Sequence, residues 1–111
     1  MYREITIGET KVPMMATASI VAPYRRLFKS HPLSDLANTD MDEAEKSDVA
    51  FRIAYLMNVR ATSDRASLQK VSVEQYEDWL DQFSYGDMVA SAPMIIEFFV
   101  QQTNPTVHAK N

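Results

Sequence analysis

The sequence contains no cysteine and only two glycines, Gly8 and Gly86, among its 111 residues. Without cysteine the chain can form neither disulfides nor thiolate metal sites. Two isolated glycines cannot build a glycine-rich phosphate-binding loop. An all-β chain of this length would need many more turn residues, so the scarcity of glycine favours a mainly helical fold.

Long apolar runs and a basic charge balance are also missing. No run approaches the roughly 20 apolar residues that span a bilayer, and the start MYREITIGET lacks the pattern of a secretory signal. The net charge is -4, and the densest basic group (Arg25, Arg26 and Lys29) lies among apolar residues at helical spacing, as on a solvated helix face. We therefore expect a cytoplasmic protein that binds neither membranes nor nucleic acid.

No constellation of residues points to catalysis, a metal or a cofactor. His31 is expected in a loop and His108 in the tail, and neither has a second histidine at ligand spacing. The carboxylates between residues 40 and 48 lack the alternating ligands and the glycine of an EF-hand. Stabilisation of a helix start explains them better, so we predict that the protein is not an enzyme.

The first fifteen residues predict a β-hairpin. Gly8-Glu9 suits a two-residue type II′ loop, in which the first position needs a positive φ. This register places four apolar side chains on one face, namely Ile5, Ile7, Val12 and Met14. Pro13 cannot donate a hydrogen bond, which predicts that the second strand is an edge.

Capping signals and apolar periodicity predict the helices. Asp40 and Glu43 form a possible capping box before a helix at 41–61, and Ser72 and Gln75 form another before a helix that contains Trp79. Pro23 suits the first turn of an earlier helix, a polar connection is expected at 62–71, and Pro93 should kink or divide the last helix. The predicted fold is α+β and mainly helical, an N-terminal β-hairpin packed on four or five α-helices. It forms a single domain at 1–102, followed by a flexible C-terminal tail at 103–111.

The sequence has seven methionines, which is unusual for its length. Flexible methionine side chains fill irregular cores, but they are also favoured on surfaces that accept variable partners. If the last helix buries Ala92, Ile95, Ile96 and Phe99, then Met94 and Phe98 form an exposed stripe suited to docking. The competing interpretation is a helix buried on all sides. The candidate partner-binding residues are Met94, Phe98, Met14 and Met15.

The order of these elements resembles a known family. The chain is similar to the tail assembly chaperones of long-tailed, siphophage-type bacteriophages and prophages. The resemblance covers residues 2–102 and rests on the hairpin REITIGETKVPMM, the segment FRIAYLMN, the Trp79 helix, the apolar last helix and a helix start formed by Tyr24, Arg25, Arg26, Leu27 and Phe28. One departure is Lys29, where the family pattern predicts glycine.

The resemblance implies a function in protein binding. Such a chaperone coats the tape measure protein in the host bacterial cytoplasm and is absent from the mature virion. The major tail tube protein is a further candidate partner, and self-association would suit a protein that tiles a long substrate. Two alternatives stay open: a structural head–tail or tail completion protein retained in the virion, and a small non-phage adaptor or regulatory protein.

Overall fold

The structure, a computed structural model, describes residues 1–103, so residues 104–111 of the predicted tail and His108 lie outside the described residues. It confirms the α+β, mainly helical fold class. The described part has six α-helices, because short helices form in two segments predicted to be loops. The elements are β1 (Tyr2–Ile7), β2 (Thr10–Met15), α1 (Val21–Phe28), α2 (Pro32–Ala37), α3 (Glu43–Thr62), α4 (Arg65–Leu68), α5 (Val73–Leu80) and α6 (Tyr85–Gln101).

The hairpin has the predicted register. Ile5 pairs with Val12 and Ile7 with Thr10, so the chain turns at Gly8 and Glu9. Gly8 has a φ of 64° and Glu9 has no positive φ, as a type II′ turn requires. All four side chains of the predicted apolar face are buried. They cover the helices, because β2 packs on α3 and β1 packs on α6.

Helix α3 is the centre of the fold. From Val49 to Met57 every side chain except that of Arg52 is buried, because the hairpin, α6 and the smaller helices surround this segment. Along this segment α3 is therefore covered on nearly all sides.

The start of α3 differs from the prediction. The capping box is formed by Asp42 and Glu45, two residues later than expected. The reason lies in the preceding turn, where the Asp40 N–H donates to the side chain of Asn38 over 2.9 Å. Asp40 is thereby held in the turn and does not cap the helix.

Helix α1 ends at a lysine in a left-handed conformation. A single 3-10 turn at Ala18–Ile20 leads into α1, which begins at Val21, so Pro23 lies in its first turn as predicted. Lys29 follows α1 with a φ of 59°, and its N–H donates to the carbonyl of Arg25. It is the one non-glycine residue with a positive φ in the described part of the chain. This conformation suits glycine, which is the residue that the family pattern predicts there.

Helix α5 begins as predicted, directly after Ser72. Ser72 and Gln75 form the capping box of α5, and Ser84 caps α6 by accepting from the Asp87 N–H. Pro93 does not divide α6, which is one helix. Pro93 removes a hydrogen bond to the Val89 carbonyl. Because both residues are exposed, that carbonyl can bind water instead.

Candidate protein-binding groove

Two of the four predicted partner-binding residues, Phe98 and Met14, are buried and present no surface for docking. Phe98 is completely buried, and the guanidinium of Arg3 lies over its ring at 5.0 Å from Cζ to the centroid. Met14 is also completely buried, on the inner face of β2. Replacing Phe98 would therefore remove core packing and would not report on docking.

The other two predicted residues stay accessible but lie on different elements. Met94 on α6 is 52% exposed, and Met15 on β2 is half-buried. Because Phe98 is covered, the predicted stripe of Met94 and Phe98 does not exist as a surface. The competing prediction, that α6 is buried on all sides, is wrong, since Met94 and three other large apolar side chains of this helix are exposed.

The exposed apolar surface of α6 lies elsewhere, along an open groove of about 950 Å³. We name it the α6 groove. One wall is a row of α6 side chains that recur every three or four residues and so share one face of the helix. The row consists of Tyr85, Val89, Pro93, Ile96 and Val100. The opposite wall is formed by α2 and the start of α3, with Leu36, Ala44 and Ser47.

The row is unusually accessible for apolar side chains. Tyr85 is 61% exposed, and Val89 and Val100 are each 39% exposed. Tyr85 leans against the buried ring of Phe51, with the ring centroids 5.9 Å apart. Apolar side chains gathered in one concave surface typically mark a site where another molecule binds.

The charged side chains of the groove are two carboxylates and one ammonium. Glu43 lies in the first turn of α3, and Glu97 lies on α6. The third charge, on Lys46, is turned toward α2, where its Nζ donates to the carbonyl of Leu36. This hydrogen bond satisfies a carbonyl near the end of α2, so Lys46 helps to hold the wall of the groove.

A buried polar cluster fixes α2 in place. Asp35 accepts hydrogen bonds from the hydroxyl of Tyr24, over 2.7 Å, and from that of Ser30. Burial, and secondly this bond to Asp35, raise the pKa of Tyr24. His31, expected to be an exposed loop residue, caps α2, because its Nδ1 accepts from the Leu33 N–H. These bonds have a structural role: they set where α2, and therefore Leu36, meets the groove.

Arg26 has a structural role, although the basic group of Arg25, Arg26 and Lys29 was predicted to be a solvated helix face. Arg26 donates to the carbonyls of Val71 and Leu68 over 3.0 and 3.1 Å, which ties α1 to the end of α4. Within residues 1–103, no three His, Asp or Glu side chains are placed to hold a metal ion. None of the helices in that same range is long and apolar enough to cross a membrane.

The α6 residues of the groove recur at helical spacing in the sequence, but the predicted exposed side of α6 was a different one. The predicted buried face of α6, which included Ile96, left Met94 and Phe98 on the exposed side. In the structure Ser91 is buried, because its Oγ donates to the carbonyl of Met88 over 2.9 Å. At about 100° per residue, Met94 lies about 140° around the helix from Val89.

Comparison with known proteins adds no relative. The sequence matches no protein-family model and no curated protein, and no solved structure matches it.

Proposed function

We propose that this protein binds an apolar segment of a partner protein in the α6 groove and keeps that segment in solution until assembly. The observation that carries the proposal is the row of accessible apolar side chains on α6, with Val89 and Val100 each 39% exposed. The fold needs no such exposure, because α6 already buries a complete face that includes Ile95 and Phe99.

We further propose that the partner is the tape measure protein of a long-tailed phage. The support is the resemblance of residues 2–102 to tail assembly chaperones, together with a binding surface of apolar character. On this proposal the protein acts in the host cytoplasm and leaves before the virion is complete. The gene immediately downstream is then expected to encode a very long, helix-rich protein.

Co-expression with that long helical protein tests the proposal. Wild-type chain should keep the partner soluble and co-purify with it. Replacing Val89 and Val100 with serine should abolish co-purification while the far-UV circular dichroism spectrum stays unchanged, because both side chains are partly exposed. Met94→Ser is the matched control, since Met94 is exposed on the same helix outside the groove.

Two results would contradict the proposal. Co-purification that survives the double serine change would show that the groove is not the binding surface. Mass spectrometry of purified virions that finds the protein in stoichiometric amounts would favour the structural alternative, a component retained in the particle.

A further inference from the structure

The shape of the α6 groove fits a helix. Its walls are three helices, α2, α3 and α6, whose backbone groups are largely bonded within each helix. Among residues 1–103 no strand edge lines the groove, so a bound extended segment would leave its own backbone N–H and C=O groups without partners there. A helix satisfies these groups internally and can lay one apolar face into the groove.

The length of the row sets the size of that helix. Tyr85 and Val100 are 15 residues apart, which at the rise of an α-helix is about 22 Å. A partner helix that lies along the row therefore contacts it over roughly four turns.

The charged side chains of the groove determine which side chains a bound helix should carry beside its apolar stripe. Glu43 lies on the α3 wall and Glu97 on the α6 wall, so a bound helix meets a carboxylate on each side. The ammonium of Lys46 is held at the Leu36 carbonyl and offsets only one of the two carboxylates, so the lining keeps an excess of negative charge. Resting on the proposed function, we infer that the groove takes an amphipathic helix with basic side chains on both flanks of its apolar stripe.

A pair of designed peptides tests this inference with the full chain. Both are helices of about 18 residues with the same apolar stripe; one carries lysine on both flanks and the other carries glutamate. Fluorescence anisotropy at low ionic strength should show at least five-fold tighter binding of the lysine peptide. The difference should shrink as salt is added, because salt screens exposed charges.

Charge reversal identifies the two carboxylates. Glu43→Lys combined with Glu97→Lys should invert the preference, so that the glutamate peptide binds more tightly. The control, Glu77→Lys combined with Asp81→Lys, has the same change in net charge at two exposed positions outside the groove, one on α5 and one directly after it. It should leave the preference for lysine intact.

The apolar contribution is tested on the same peptides. Val89→Ser combined with Val100→Ser should weaken binding of the lysine peptide at least ten-fold, and Met94→Ser should leave it unchanged. Equal binding of the two peptides, or no binding of either, would overturn the inference. A charge reversal that acts no more strongly than the α5 control would do the same.

The experiments distinguish failure of the inference from failure of the proposed function, and they also detect other occupants of the groove. If the double serine variant loses the tape measure protein but the two peptides bind equally, the proposed function stands and the inference fails. If wild-type chain dimerises in analytical ultracentrifugation and the double serine variant is monomeric, the occupant is a second copy of this chain. Peptide binding that requires removal of residues 104–111 would assign the groove to that segment.

Discussion

Asn58 joins three parts of the fold, and replacing it with alanine should have a measurable cost. Its Nδ2 donates to the Pro13 carbonyl over 2.8 Å, and its Oδ1 accepts from the Trp79 Nε1–H over 3.1 Å. One half-buried side chain of α3 therefore ties β2 of the hairpin to α5. Each hydrogen bond contributes roughly 0.5–1.5 kcal/mol net, so Asn58→Ala should lower the free energy of unfolding by about 1–3 kcal/mol.

Urea unfolding followed by far-UV circular dichroism measures this change. For a domain of this size, 1 kcal/mol corresponds to a shift in Tm of about 4–8 °C, so the loss should also be visible on heating. Trp79→Phe removes the Nε1–H donor and part of the ring, but it keeps an aromatic side chain that can pack on Tyr55. In a double-mutant cycle Asn58→Ala and Trp79→Phe should couple by roughly 1 kcal/mol.

The result that would refute this reasoning is additivity. If the two changes add without coupling, the bond between the indole and Asn58 contributes nothing to stability. If Asn58→Ala leaves the urea midpoint unchanged, water replaces both bonds at no cost and the hairpin is held by apolar packing alone.

Three other predictions concern single residues. Lys29→Gly should raise the free energy of unfolding by about 0.5–1 kcal/mol in urea titrations, because relief of the left-handed strain exceeds the entropy that glycine adds to the unfolded chain; a loss of stability would contradict this. Gly8→Ala should lower the free energy of unfolding by at least about 1 kcal/mol, because φ is positive and a Cβ would overlap the Asp87 carboxylate. Gly86→Ala should not destabilise the protein, because a Cβ there would meet nothing within 4 Å. Burial and a bond to a buried carboxylate raise the pKa of Tyr24 in the folded protein. The contribution of Tyr24 to the free energy of unfolding is therefore complete below about pH 10 and is lost at higher pH, where the tyrosine of the unfolded chain ionises. The urea midpoint of wild type should fall more between pH 9 and 11 than that of Tyr24→Phe, and equal slopes would contradict this.

Local signals in the sequence were enough to predict the hairpin and the start of α5. Alternation at Ile5, Ile7 and Val12 determines the register, because a slip of one residue would turn all three side chains away from the core. Gly8 determines the turn, since the loop needs a positive φ. Ser72 and Gln75 satisfy N–H groups within one turn of chain, so their capping box needs no distant partner. Such features depend on neighbours in sequence, which is why they could be predicted.

Only the tertiary structure decided which side of α6 is covered. Helical spacing states which residues share a face, but not which neighbouring element packs against that face. Phe98 is buried because the hairpin, through Arg3, lies over it. Ser91 can be buried because its hydroxyl donates a hydrogen bond to the carbonyl of Met88, one turn earlier. Val89 stays exposed because the opposing wall of α2 and α3 stands apart from it across the groove. The candidate site is thus the gap between elements whose relative positions depend on packing over the whole chain.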